Sequence, residues 1–207
     1  YPVQVMITND DGQLVPLKNV MIVAAGEKHS VALTRDGILY TWGDNSKGQL
    51  GSGNSASALA YSTRPVTVAG ENNSSKSLSE MLVEKNESIS NIAAGRDHTL
   101  AVSNQGNLYS WGANTYGQLG VNSRDNRYFP VQVKGYNGGG YLTDVILIGA
   151  GAEHSLAVRT DGSVWSWGRN NKGQLGQSTN GVNNTYKDMQ TPDRVLKGEY
   201  DTGNADD

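Results

Sequence analysis

Hydrophobic and polar positions alternate along a short segment near the start of the chain. In HSVALT, residues 29–34, every second side chain would lie on the same face of a β-strand. A second run rich in β-forming residues, ILYTW, follows at Ile38–Trp42. Asp36 and Gly37 lie between the two runs and tolerate the positive φ angles of a tight turn. The pattern therefore predicts a β-hairpin.

The same pattern occurs three times along the chain. Residues 25–51, 94–120 and 150–176 align over 27 columns without a gap, and 12 of these columns are identical. The shared letters are A-G-x-x-H-[ST]-x-A, then Gly, then W-G-x-N-x-x-G-Q-L-G. A sequence motif that occurs three times indicates a structural unit, since a catalytic motif is normally needed only once.

Two further segments accompany each copy. An apolar run that predicts a strand precedes every copy, at residues 20–25, 89–94 and 145–150. The short motif Pro-x-x-Val, which suits the start of a strand or an edge strand, occurs at residues 2–5, 65–68, 130–133 and 192–195. Each unit therefore predicts four short antiparallel strands, and successive units are 69 and 56 residues apart, measured from Trp42 to Trp111 to Trp167. A period of this size is typical of propeller blades.

We therefore expect an all-β fold, a partial β-propeller of three four-stranded blades with a surplus C-terminal strand. Residues 1–207 would form a single repeat domain. The expected limits are residues 1–63 for the first blade, 64–128 for the second, 129–190 for the third, 191–197 for the extra strand and 198–207 for the tail.

Residues 71–88 form an insertion that breaks the repeat between the first two units. Ser77 and Glu80 have the spacing of a capping box, and Leu78, Met81 and Leu82 would share one face of a short helix. Two interpretations are open: a partner-binding insertion, or a loop packed on the rim of the propeller.

The repeated tryptophans and histidines have structural interpretations. The tryptophans would fill the space between neighbouring sheets as large apolar wedges. The histidines would hydrogen-bond within each blade, although a metal site on the propeller axis or general-base chemistry is an alternative. The residues expected to be structural are Trp42, Trp111, Trp167, His29, His98 and His154.

Composition narrows the range of functions. The net charge of −3 does not favour nucleic-acid binding, and no apolar run approaches the roughly 20 residues of a membrane-spanning helix. Cysteine is absent, which excludes disulfides and thiolate metal sites. No catalytic set, cofactor motif or metal-ligand spacing recurs, so we expect no catalytic residue, no cofactor and no metal. The Asn-rich loops and the negative net charge are compatible with a bacterial cell-surface or secreted protein.

The three repeated phrases resemble the regulator-of-chromosome-condensation repeat family. The resemblance implies a β-propeller, which has seven blades in the founder of the family. That founder is a nucleotide-exchange factor for the GTPase Ran and binds chromatin, and relatives include ubiquitin-ligase subunits and a plant UV-B photoreceptor. Light sensing is not expected, because the Gly-Trp-Arg-His-Thr of the photoreceptor branch is matched here by phrases that lack the tryptophan.

We expect a non-enzymatic protein-interaction scaffold, with guanine-nucleotide exchange on a small GTPase as the alternative. Specificity would come from variable columns in the repeated loops, although the sequence identifies no particular protein partner. The residues expected to contact a partner are Asp44, Lys47, Ala113, Tyr116, Arg169 and Lys172. Propellers close with about 4–8 blades. Three units therefore predict a fragment of a longer array, which would close a ring as a homo-oligomer or with missing blades.

Overall fold

Three four-stranded antiparallel sheets dominate the computed structural model. It describes residues 1, 3–9, 11–71, 74–177 and 187–195. Within each sheet the strands follow one another in chain order, so every sheet is a simple meander. The expected all-β partial propeller with three four-stranded blades is confirmed.

Each blade contains one copy of the repeat, preceded by its apolar strand. A two-stranded hairpin formed by β1 (Met6–Thr8) and β2 (Leu14–Pro16) comes first. The first blade contains β3 (Val20–Ala25), β4 (His29–Thr34), β5 (Leu39–Asp44) and β6 (Tyr61–Thr67). The second contains β7 (Ile89–Ala94), β8 (His98–Ser103), β9 (Leu108–Gly112) and β10 (Arg127–Gln132). The third contains β11 (Val145–Ala150), β12 (His154–Arg159), β13 (Val164–Gly168) and β14 (Met189–Arg194).

The Pro-x-x-Val segments lie at the end of each blade, which corrects the expected blade limits. Pro65 lies within β6, the outermost strand of the first blade, and Pro192 lies within β14, the outermost strand of the third. An outermost strand is paired on one side only, so it tolerates a residue without an N–H group. The strand expected to be surplus, residues 191–197, therefore belongs to the fourth strand of the third blade, β14, which ends at Arg194. Residues 196–197 and the tail 198–207 lie outside the described residues.

The insertion contains a short helix, α1 (Leu78–Glu84), that packs between two blades. Its predicted capping box is confirmed, since the Ser77 hydroxyl accepts from the Glu80 N–H and the Glu80 carboxylate accepts from the Ser77 N–H. Leu78 and Leu82 are fully buried in the core between the first and second blades. The apolar face of the helix is therefore part of the core and is not available to a partner.

The core lies in two layers, one between each pair of neighbouring blades. Trp111 is fully buried in the first layer and Trp167 in the second. Trp42 occupies the same column of the repeat but is only half-buried, because its side of the first blade has no neighbouring blade among the described residues. The expectation that the three tryptophans are equivalent is therefore wrong for Trp42.

The difference in burial leads to a measurable prediction. We expect Trp111→Ala to lower the free energy of unfolding by about 3–5 kcal/mol, the usual cost of removing a large aromatic from a core. The matched variant Trp42→Ala should cost clearly less, because its indole packs on one side only. Chemical denaturation of both variants provides the comparison, and equal losses would contradict it.

Candidate functional site

One end of every blade is formed by equivalent loops, and we call this end the loop face. In each meander the first and third strands end there, so the loop between strands one and two lies beside the loop between strands three and four. The loop face comprises residues 26–28, 45–60, 95–97, 113–126, 151–153 and 169–177. All six candidate partner residues belong to these loops or to the strand end at residue 44.

Two side chains hold the repeated loop in the same conformation each time. The Asn45 carbonyl Oδ1 accepts from the Leu50 N–H at 3.1 Å, and the Gln49 carbonyl Oε1 accepts from the Lys47 N–H at 2.9 Å. The equivalent Asn and Gln bonds in the other two units join Leu119 to Asn114, Tyr116 to Gln118, Leu175 to Asn170 and Lys172 to Gln174. The loop conformation is therefore set by the identical columns, and the variable columns are carried on it.

The structure separates the candidate partner residues into available and unavailable ones. Lys47 and Lys172 are exposed at loop tips. Ala113 is buried, so it offers little to a partner. Asp44 is half-buried, and its carboxylate already accepts bonds from the Ser46 hydroxyl and the Gln49 amide, both at 2.7 Å.

Tyr116 and Arg169 contact one another across the boundary between the second and third blades. The Arg169 guanidinium lies 4.5 Å from the centroid of the Tyr116 ring, within the range of a cation–π contact. Both side chains are half-exposed, so together they present a flat aromatic and cationic surface. Sequence reasoning selected both residues separately and did not predict this contact.

A network of ion pairs crosses all three blades beside this contact. The Glu153 carboxylate is only 6% exposed, and it pairs with both Arg169 and Arg96. Arg96 also lies 3.1 Å from Asp97 and 3.9 Å from Glu27. Neither Arg96 nor Glu153 was selected from the sequence, because their columns differ in every unit and pairing between blades leaves no signal in a single unit.

Two of the repeated histidines, His29 and His98, bond to the next blade, so the expectation that they bond within their own blade is wrong. His29 Nε2 is 3.0 Å from the Thr99 hydroxyl of the next blade, and that hydroxyl donates to the Gln49 backbone carbonyl at 3.2 Å. The same carbonyl accepts from the Trp111 indole N–H at 3.0 Å. Because the Thr99 hydroxyl donates its proton to Gln49, it accepts from a protonated Nε2 of His29.

The second boundary between blades repeats these contacts. His98 Nε2 is 3.0 Å from the Ser155 hydroxyl, which donates to the Gln118 carbonyl at 2.8 Å. The Trp167 indole donates to the same carbonyl at 2.9 Å. Gly51 and Gly120 pack against the indoles of Trp111 and Trp167. We call this set of contacts the blade staple: a His, a backbone carbonyl of Gln and the Gly two residues after that Gln from one blade, with a hydroxyl and a Trp from the next.

The staple packs the two buried histidines closely against their own blades. A Cβ at Gly26 or Gly95 would collide with the imidazole of His29 or His98. The second ring nitrogens, Nδ1 of both histidines, are buried without a hydrogen-bond partner. Across the described part of the chain, no group of three His, Cys, Asp or Glu side chains could hold a metal ion.

Burial keeps the histidines neutral. It lowers the pKa of His98 to about 3 and that of His29 to about 4, with Asp97 and Asp44 opposing the shift at His29. Burial also lowers the pKa of His154, which is half-buried on the open side of the third blade.

No helix in the described ranges is long and apolar enough to span a membrane.

The chain belongs to the RCC1-like domain family, whose model matches residues 2–203. It is similar to the probable E3 ubiquitin-protein ligase HERC3 of Homo sapiens, with 32% identity over 199 residues that cover 93% of this chain and 16% of that protein. It is also similar to the ultraviolet-B receptor UVR8 of Arabidopsis thaliana, with 32% identity over 161 residues that cover 77% of this chain and 31% of that protein.

Solved structures show the same fold. The crystal structure of Prp20p from Saccharomyces cerevisiae, described together with its binding properties to Gsp1p and histones, superposes with a TM-score of 0.68 at 26% identity. The match covers 90% of this chain and 41% of Prp20p. The chain thus spans less than half the length of each of these three relatives, which are RCC1-repeat β-propellers.

The neutral histidines predict how stability depends on pH. Unfolding exposes each histidine, which then binds a proton below its ordinary pKa of about 6.5. The free energy of unfolding should therefore fall as the pH is lowered from about 6.5 to 5, with a slope approaching about 1.4 kcal/mol per pH unit for each buried histidine.

Substitution isolates the contribution of one histidine. His98→Gln keeps a donor near Ser155 but does not titrate, so its stability should fall less steeply between pH 6.5 and 5. His154→Gln is the control and should change the slope less, because His154 is half-buried. Urea unfolding at a series of pH values measures the slopes, and a His98→Gln slope equal to that of the wild type would refute the assignment.

The ion pairs on Glu153 predict non-additive stability. Either Arg96→Ala or Arg169→Ala leaves the carboxylate one cation, whereas the double variant leaves a buried charge unpaired. We expect the double variant to lose at least about 1 kcal/mol more than the sum of the single losses. Arg124→Ala, which removes an exposed cation 3.9 Å from Asp188, is the control in the same unfolding assay and should combine additively with Arg96→Ala.

Proposed function

We propose that the chain is a non-enzymatic scaffold that binds a protein partner through its loop face. The observation that carries the proposal is that, in the repeated loops, the residues that hold the loop conformation differ from the residues that are exposed. The identical columns hydrogen-bond inside each loop, while the variable column that contains Lys47, Tyr116 and Lys172 is exposed or half-exposed. A repeated framework with non-identical tips suits recognition of a surface, because many small contacts can vary independently of the fold.

The chemistry of the loop face supports a protein as the partner. Exposed lysines, the Tyr116–Arg169 contact and the carboxylates of Glu27 and Asp97 give it both signs of charge close together. Aromatic residues and arginine are enriched where proteins bind one another. The fold likeness to Prp20p, with its described binding to Gsp1p and histones, is consistent with protein partners.

Guanine-nucleotide exchange on a small GTPase is the second candidate, and the likeness to Prp20p is the observation that favours it. Exchange needs a projecting element that displaces the nucleotide-binding segments of the GTPase. The helix α1 does not supply one, because its apolar face is buried between the blades. The scaffold is therefore the preferred function.

A pair of charge-reversal variants tests the loop face. Lys47→Glu with Lys172→Glu should abolish capture of a partner that the wild-type chain retains from cells of its own source. Lys18→Glu with Arg35→Glu reverses two exposed charges at the opposite end of the blades and should retain that partner. Quantitative mass spectrometry of the captured proteins gives the readout, with equal melting temperatures as the check on folding. Loss of the same partner in both double variants, or in neither, would refute the assignment to the loop face.

A nucleotide-release assay separates the two candidate functions. The wild-type chain should leave the release of labelled guanine nucleotide from small GTPases unchanged. Accelerated release by catalytic amounts of the chain would instead establish exchange.

A further inference from the structure

A groove lies on the outer rim of the second blade, along its outermost strand β10. The second blade lies between the other two blades, so this open surface is not a boundary that a further blade would cover. The groove has a volume of about 320 Å³, which is within the range of ligand-binding sites in proteins. We call it the rim groove, and its main lining residues are Glu71, Arg127, Phe129, Val131, Lys134 and Tyr141.

The outermost strands of the three blades differ at the positions that line this groove. All three strands contain the proline of the Pro-x-x-Val motif, and in β10 Phe129 directly precedes that proline and Arg127 lies two residues before Phe129. The residues at these two positions are Ser62 and Arg64 in the first blade, and Met189 and Thr191 in the third. Only the second blade therefore combines a cation and an aromatic ring on its outermost strand at these positions.

The groove exposes apolar and aromatic surface. Phe129 is the only phenylalanine of the chain, yet it lies half-buried on the rim, as does Val131. Tyr141 is 52% exposed, and the Lys134 Nζ lies 4.4 Å from the centroid of its ring, within the range of a cation–π contact. Exposed aromatic surface beside cations is typical of a site that binds another protein.

The two cations of the groove have no carboxylate partner. The Arg127 side chain forms no ion pair or hydrogen bond with any described residue, and the Lys134 side chain contacts the Tyr141 ring. Glu71 is the carboxylate among the lining residues, and its Oε1 lies 3.9 Å from the Nζ of Lys85. The groove therefore has an excess of positive charge that a carboxylate of a ligand would neutralise.

The backbone at the outer edge of β10 is also available to a ligand. The Val133 N–H donates to the Leu108 carbonyl of β9 at 2.8 Å. Val131 pairs with Ser110 of the same strand. Because successive residues of a strand direct their backbone groups to opposite sides, the N–H and the carbonyl of Gln132 face away from β9. Neither forms a backbone hydrogen bond to another segment of the described ranges.

We propose that the rim groove binds an extended peptide segment of a partner protein, which adds a strand to the outer edge of β10. The peptide carries an acidic residue that pairs with the Arg127 guanidinium and an apolar residue that packs on Phe129. Pro130 has no N–H group, so the added strand bonds to the backbone of Gln132 beyond it. Main-chain hydrogen bonds supply affinity and the two side-chain contacts supply specificity, as in other cases of strand addition to a sheet edge. This site adjoins the loop face only at Val121 and is separate from the partner proposed there.

Selection from a displayed library of random peptides tests the proposal. Peptides selected on the wild-type chain should include a group with an acidic and an apolar residue two positions apart, the spacing of Arg127 and Phe129. Arg127→Ser and Phe129→Thr should each bind these peptides at least about tenfold more weakly, because arginine and aromatic contacts dominate binding energies. Both variants should fold, since Ser62 and Thr191 occupy the same positions in the other blades. Equal melting temperatures check this.

Two further variants serve as controls for this site. Arg64→Ser removes an exposed cation from β6, the outermost strand of the first blade, and should bind the selected peptides as the wild type does. Lys172→Glu on the loop face should also leave peptide binding unchanged, so failure of the rim groove and failure of the loop face give different results.

A charge reversal tests the chemistry of the peptide. Selection on Arg127→Glu should yield peptides with a basic residue in place of the acidic one. A preference for acidic peptides that persists in Arg127→Glu would overturn the proposal. A selection on the wild type that yields no peptide whose binding is weakened by both Arg127→Ser and Phe129→Thr would also overturn it.

Discussion

The fold depends on one backbone carbonyl at each boundary between blades. The Gln49 carbonyl accepts from the indole of Trp111 and from the hydroxyl of Thr99, and both donors belong to the next blade. A carbonyl oxygen has two lone pairs, so both are used in a site that water does not reach. Because an unsatisfied buried polar group is costly, this arrangement fixes the spacing and the angle of the neighbouring sheets more narrowly than apolar packing alone.

The same glutamine connects the core to the loop face. Its backbone carbonyl holds the next blade, while its side-chain oxygen accepts from the N–H of Lys47 in its own loop. A displacement of the neighbouring blade would therefore move the loop tip, and the loops of adjacent blades keep a fixed separation. This rigidity allows Tyr116 and Arg169, which come from different blades, to remain in contact, although neither residue recurs in its column in the other units.

The repeated sequence made most of the structure within each blade predictable, but it predicted few of the contacts between blades. Alternation in HSVALT and the Asp36-Gly37 pair indicated the hairpin, and the capping box at Ser77 indicated the helix, because these signals are local. The outer position of Pro65 was assigned to the wrong blade, since the sequence alone does not show whether an edge strand begins one unit or ends the previous one. The half-buried state of Trp42 was missed for a related reason: burial depends on a neighbouring blade, and identical columns do not show which unit lacks one among the described residues.

The network of ion pairs around Glu153 could not be predicted by comparing the three aligned units column by column. Glu153, Arg96 and Arg169 occupy three different columns, and only the column of Glu153 carries the same charge in another unit, at Asp97. Their pairing becomes visible only when the blade staples place the second and third blades side by side. A buried carboxylate with two cationic partners is tolerated there because the staple already holds the surrounding backbone, so the charges pair at a fixed distance. The identical columns thus create the geometry in which the variable ones interact, and the proposed recognition surface is a property of the array and not of any one repeat.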